Sequence, residues 1–208
     1  MELAWTVFEI VGTIAFAISG ALVGIGRRMD IFGLIVLALA TAIGGGILRD
    51  VLVGHLPPNS LKTASYVVLT IAVTFAVFFV YRSRSSQQLT SQWVRRTYLL
   101  ADTFGLGAFT VTGTSVGVYS YPTLPVFCVI LGLLTAIGGG IIRDILAQRV
   151  PSVLKEDVYA LPSIIGSVIY YCFAVNGEWI IGTYTAFIVA VMIRLLAIRY
   201  AWSLPRIR

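Results

Sequence analysis

Two arginine–aspartate pairs, Arg49–Asp50 and Arg143–Asp144, are set in long apolar stretches, each shortly after three consecutive glycines, Gly44–Gly45–Gly46 and Gly138–Gly139–Gly140. A threonine stands ahead of each triplet, Thr41 and Thr135. Ionisable residues in an apolar span are costly and point by default to an ion or proton path. Threonine hydroxyls, and carbonyls freed where glycine loosens a helix, can replace part of an ion's hydration shell. The chemistry suggested is the handling of a small ion. It is not bond making: the chain has no convergent nucleophile, base and electrophile set. It has no phosphate loop, zinc spacing or nucleotide fingerprint either. An enzyme is not expected, nor is a cofactor or a structural metal.

The two groups are copies. Thr41–Ala42–Ile43–Gly44–Gly45–Gly46–Ile47–Leu48–Arg49–Asp50 returns almost unchanged 94 residues later as Thr135–Ala136–Ile137–Gly138–Gly139–Gly140–Ile141–Ile142–Arg143–Asp144. At an offset of 93, Phe16–Ala17–Ile18–Ser19–Gly20 corresponds to Phe109–Thr110–Val111–Thr112–Gly113, and Glu9 to Asp102. The chain of 208 residues is an internal duplication.

The elements that must hold these residues lie in a membrane. The chain is 58% hydrophobic and only 12% charged, with a mean hydropathy of +0.93; a soluble domain carries about 25% charged residues. The sequence predicts an all-α polytopic membrane protein of seven spans, at 5–25, 31–53, 62–82, 97–118, 124–147, 158–175 and 179–199. The first is expected to be retained, since Glu9 interrupts it and no basic residue precedes it. With the N-terminus outside, eleven Lys and Arg residues fall in inner loops and the C-terminal tail against one, Lys62, in outer loops. That asymmetry fixes a cytoplasmic C-terminus. It also assigns the net charge of +6 to span flanks, so no nucleic-acid partner is expected. Cys128 and Cys172 lie in apolar runs and build no disulfide framework, and the single histidine, His55, stands in a polar turn.

The organisation follows: residues 1–82 form a first three-helix repeat, 83–96 a cytoplasmic linker, 97–175 a second repeat, and 176–208 a seventh helix and tail. Three spans per repeat force the copies into opposite orientations, an inverted-topology pair. Glycine costs a helix about 1 kcal/mol each relative to alanine, so the triplets are expected to break or kink spans two and five. In inverted-repeat proteins such breaks mark the substrate or ion site; close helix packing on small residues is the other reading. Thr41, Gly44, Gly45, Gly46, Thr135, Gly138, Gly139 and Gly140 are the candidate pore and helix-break residues.

The deep charges have expected partners. Adjacent residues on a helix point about 100° apart, so Arg49 is not expected to pair with Asp50, nor Arg143 with Asp144. The topology brings Glu9 to Arg49 near the outer ends of spans one and two, and Asp102 to Arg143 near the inner ends of spans four and five. These residues, with Asp50 and Asp144, are either architectural struts or the charged mouths of a pathway. Gly20-x-x-x-Gly24 and Gly113-x-x-x-Gly117 read as helix-packing motifs.

Two inverted three-span repeats, glycine-rich second and fifth spans, paired GGG-x-x-Arg-Asp motifs, a seventh span and an outside N-terminus together resemble the prokaryotic branch of the trimeric intracellular cation (TRIC) channel family. The resemblance covers essentially the whole chain. It implies a homotrimer in the cell membrane, with an ion pathway through each protomer, kinked helices 2 and 5 lining it, and voltage-sensitive gating. It implies monovalent cations as the permeant species, chiefly potassium, with sodium as the other candidate. Animal members carry a Lys–Glu–Val motif in the second span and bind a phosphoinositide; this sequence lacks that tripeptide. Inverted repeats and broken helices are also transporter features, so a secondary transporter for a small amino acid such as glycine stands as the alternative.

Overall fold

A computed structural model of the chain describes residues 2–62, 64–83, 91–155 and 158–203. Among these the protein is all-helical: α1 (Glu2–Gly26), α2 (Ile31–Val53), α3 (Asn59–Lys62), α4 (Ser65–Ser83), α5 (Ser91–Ser120), α6 (Pro125–Leu146), α7 (Ser152–Lys155), α8 (Leu161–Val175) and α9 (Trp179–Tyr200). Five of them, α1, α2, α4, α6 and α9, are long and apolar enough to cross a membrane. The protein is a multi-pass membrane protein. The 30-residue α5 carries Arg95, Arg96 and Asp102, and α8 has only 15 residues, which is why the fourth and sixth expected spans stand apart from the rest.

Local sequence explains where the helices start and stop. The Asp30 side chain accepts the Gly33 N–H at 2.8 Å and caps α2. Gly54, at a φ of 81°, closes α2 in the left-handed region, its N–H donating to the Asp50 and Val51 carbonyls. Pro125 opens α6 at a position where a missing N–H costs nothing.

Several boundaries differ from the expectation. Residue 62 belongs to α3, a one-turn helix ahead of α4, and α7 is a second such turn ahead of α8; neither is legible as a helix in so short a segment. The helix α5 begins at Ser91, so residues 91–96 of the expected linker are helical, and residues 84–90 of it lie outside the described residues. Met1, Arg84, Glu156, Asp157, Arg206 and Arg208 lie outside them as well.

The main correction concerns the glycines. Both α2 and α6 run without interruption through their triplets. A backbone group freed in a bilayer costs several kcal/mol, more than the helix penalty of glycine, and here the missing side chains are used by the opposing helix. A Cβ on Gly45 would collide with the Thr135 carbonyl oxygen, and one on Gly139 with the Thr41 carbonyl oxygen. The two helices therefore cross backbone to backbone, each glycine reading the other's threonine.

Helix α1 packs on α2 and α5, and α6 packs on the same two, so the four close a ring; the diagonal pairs α1–α6 and α2–α5 barely touch. On the outside of the ring, α4 lies against α1 and α2, and α8 against α5 and α6, with α9 on α5 and α8. The largest buried cluster fills the ring: Phe16, Ala17, Ala42, Leu106, Phe109, Ala136, Ile137 and Tyr159. Phe16 and Phe109 meet edge to face at 5.1 Å between ring centroids. Gly12 leaves room for the Phe109 ring and Gly105 for the Phe16 ring.

Candidate functional site

Each buried arginine is held by two carboxylates. Arg49 Nη1 donates to Glu9 Oε1 at 2.8 Å and Nε to Asp50 Oδ1 at 2.8 Å. Arg143 Nη1 donates to Asp102 Oδ1 at 2.7 Å and Nε to Asp144 Oδ1 at 3.0 Å. The cross-helix pairs Glu9–Arg49 and Asp102–Arg143 are therefore formed as expected. The pairing of sequence neighbours was not expected. Helical spacing sets the directions of Cα–Cβ bonds, but a long arginine side chain folds back so that Nε reaches the next residue while the guanidinium tip reaches across. All four arginine and neighbouring aspartate side chains are almost fully buried.

The second oxygen of each aspartate does a further job. Asp50 Oδ2 accepts the Asn59 N–H at 2.7 Å, and Asp144 Oδ2 accepts the Ser152 N–H at 2.8 Å. These are the first residues of α3 and α7, so each buried carboxylate joins an arginine to the start of a one-turn helix.

The clusters differ in how tightly they close. Arg143 Nη1 also donates to Ser19 Oγ at 2.5 Å and Nη2 to the Tyr98 hydroxyl at 3.0 Å, and its guanidinium lies 5.1 Å from the Tyr98 ring centroid. At the equivalent positions of the other repeat, 93 residues away, stand Trp5, which has no hydroxyl, and Thr112, whose buried Oγ1 has no hydrogen-bond partner among the described residues. Arg49 instead faces a small cavity, bounded also by Glu9, Thr13, Tyr66 and Phe109, with about 10 Å³ open to a water's centre. That is room for about one water molecule.

The three glycines of each triplet have separate tasks. The first receives a side chain from the facing helix: a Cβ on Gly44 would lie 2.8 Å from Ile142 Cδ1, and one on Gly138 would lie 2.9 Å from Leu48 Cδ1. The second makes the backbone crossing. The third, Gly46 or Gly140, faces Nη2 of the arginine in its own helix. Thr41 and Thr135 are fully buried; their hydroxyls donate to Leu37 and Leu131 carbonyls at 2.6 Å. Both are seated on glycines of the packing motifs, Gly20 and Gly113. Thr110 and Thr114 face α8 instead, donating to Ser163 and Ser167 at 2.8 and 2.9 Å.

Open recesses lie at both ends of α1 and α5. One, of about 610 Å³, is bounded by Trp5, His55, Asn59 and Tyr119, and shares Trp5 and Asn59 with the small cavity at Arg49. The other, of about 490 Å³, is bounded by Arg27, Arg95, Tyr98 and Arg149 and reaches the Arg143 cluster through Tyr98. Tyr98, Asn59, Ser152 and the Tyr66/Tyr159 pair were missed in the sequence. The 93-residue offset relates Tyr66 to Tyr159 and could have found that pair. On α9, Arg194 donates to the Val158 carbonyl at 3.0 Å and stacks 4.6 Å from the Tyr159 ring, tying the last helix to this site.

A family model described as a glycine transporter matches the chain twice, at residues 6–82 and 99–175. A solved structure of a prokaryotic TRIC channel in 0.5 M KCl superposes with a TM-score of 0.90 at 32% identity, covering 98% of this chain and 100% of that one. The chain belongs to the prokaryotic TRIC family. A TRIC orthologue from Rhodobacter sphaeroides, a trimeric intracellular cation channel, matches with a TM-score of 0.86 at 27% identity over 95% of this chain and 98% of that one. The UPF0126 inner membrane protein YadS of Escherichia coli K12 is 35% identical over 201 residues, 95% of this chain and 93% of YadS. The two segments matched by the family model each contain one arginine of this TRIC member with its two carboxylate partners.

Proposed function

We propose that this protein is a monovalent cation channel, passing chiefly potassium, with a pathway down the centre of the α1–α2–α6–α5 ring of each protomer in a homotrimer. The observation that carries the reading is the presence of two matched arginine–carboxylate clusters, each next to a recess, on either side of one ring interior. The solved cation channels that share this fold over nearly the whole chain support it. At the Arg49 end one guanidinium stands against two carboxylates, an excess of negative charge that favours cations there, whereas Arg27, Arg95 and Arg149 bound the recess at the Arg143 end. The chain crosses the membrane seven times, α5 and α8 included, as two inverted repeats and a seventh helix, with the N-terminus outside and the C-terminus cytoplasmic. The membrane is the cell membrane. Glycine packing gives α2 and α6 a place to bend when the path opens, and Thr41 and Thr135 then offer their carbonyls and hydroxyls to the ion.

Planar-bilayer recording under a potassium gradient tests this. Unitary currents reversing near the potassium potential are the expected result. The description of the matching family model favours a second reading, a carrier for glycine. Saturable, counterflow-capable glycine uptake into proteoliposomes with no unitary current would establish that reading in place of the first.

A further inference from the structure

We infer that Phe16 and Phe109 form a two-ring hydrophobic gate at the centre of the pathway, between the Arg49 and Arg143 clusters. This rests on the cation-channel reading above and names the residues that close the path.

The pair belongs to the apolar cluster that fills the ring between the two recesses. Phe109 bounds the small cavity at Arg49, so it is the floor of that chamber. Phe16 is fully buried and packs toward Gly139, on the helix that carries Arg143. The rings touch edge to face and close the gap between α1 and α5. Their seats are reciprocal: Phe16 of α1 rests on Gly105 of α5, and Phe109 of α5 rests on Gly12 of α1. All four residues are related by the 93-residue offset.

Two features separate this from ordinary core packing. Beside Leu106, Ile137 and Tyr159, the cluster around the rings holds Ala42, Ala136 and close-lying glycines, small residues that bound the space a displaced ring would vacate. Polar clusters stand on both sides of the apolar layer, Arg49 with Glu9 on one and Arg143 with Asp102 on the other. A short apolar constriction between polar chambers holds back ions by dewetting, without needing to be sterically sealed. Each ring is seated on glycine of the other repeat, so sliding α1 against α5 displaces both rings together.

The test uses the full-length protein in liposomes, with Phe16→Ala, Phe109→Ala and the double variant, and Phe109→Leu as the bulk-retaining control. Potassium efflux is one readout. The other uses Ala136→Cys in a background with Cys128 and Cys172 replaced by alanine. Ag⁺, close to K⁺ in size, is added from the Trp5 side, and protection of the thiol from later labelling is measured. The gate predicts efflux faster by about tenfold in the alanine variants, little change for Phe109→Leu, and Ag⁺ reaching Ala136→Cys only when the rings are trimmed. Monodisperse alanine variants with wild-type efflux, in which Ag⁺ still fails to reach position 136 and leaves its thiol open to later labelling, would overturn the gate while leaving the channel intact. If no variant passes potassium but trimming exposes position 136 to Ag⁺, the channel reading fails and the plug stands.

Discussion

Gly45 lies against the backbone carbonyl of Thr135 with no space for a side chain between them, and Gly139 repeats the contact on Thr41. The partners are rigid main chain, not flexible side-chain ends, so the helices must separate to admit even one methyl group. Gly45→Ala and Gly139→Ala should each destabilise the protein by about 1–3 kcal/mol, as overpacking does elsewhere. Gly46→Ala should be tolerated better, because a Cβ there meets only Arg49 Nη2 at 3.7 Å. Thermal melts in detergent, followed by the monodisperse fraction, would rank the three.

Arg143→Gln should cost more than Arg49→Gln. Removing one partner of a buried ion pair costs about 3–5 kcal/mol because the other charge is stranded. Arg143 leaves Asp102 and Asp144 stranded and also gives up Ser19 and Tyr98. At Arg49 the adjoining cavity can admit a water to the abandoned carboxylates. Comparing melting temperatures checks the order. Potassium flux through the folded variants separates struts from mouths: an unchanged flux would remove the mouth role.

The carboxylates of Asp50 and Asp144 should govern the order of α3 and α7. Asp50→Asn keeps one oxygen, so it can hold either Arg49 or the Asn59 N–H but not both. Hydrogen exchange at Asn59–Lys62 should quicken in Asp50→Asn, and that at Ser152–Lys155 in Asp144→Asn, with little change at the opposite end. Exchange that is unaltered in both variants would show that the caps do not hold these turns.

The two cysteines should react very differently. Cys128 is buried, with its Sγ 3.3 Å from the Tyr121 carbonyl oxygen, whereas Cys172 is exposed near the end of α8. A membrane-impermeant maleimide should label only Cys172, and should do so from outside the cell if the N-terminus is outside. Labelling only after the cells are opened would reverse the proposed orientation.

The cross-helix ion pairs were legible in the sequence because a duplicated chain supplies two copies of the same puzzle. Glu9 and Asp102 recur at the offset of the other repeat residues, and only one partner of opposite charge is deep enough for each. Arg49–Asp50 was not legible, since residue spacing describes where a side chain leaves the helix and not where a long one ends. The glycine triplets were read as breaks because intrinsic propensity is local. What keeps α2 and α6 whole is the facing helix, which no window of sequence contains. The small turns α3 and α7 escaped for the same reason: a single turn is held by a distant carboxylate, Asp50 or Asp144, and not by its own four residues.

The unequal neighbours of the two arginines have a further consequence. Tyr98 and Ser19 clamp Arg143, while Arg49 and Trp5 border a water-sized space. The halves are copies, yet the two ends differ: one guanidinium is held by two hydroxyls besides its carboxylates, the other adjoins a water-sized space. If the path conducts as proposed, that inequality is what a rectifier requires: two ends that meet the two signs of voltage differently.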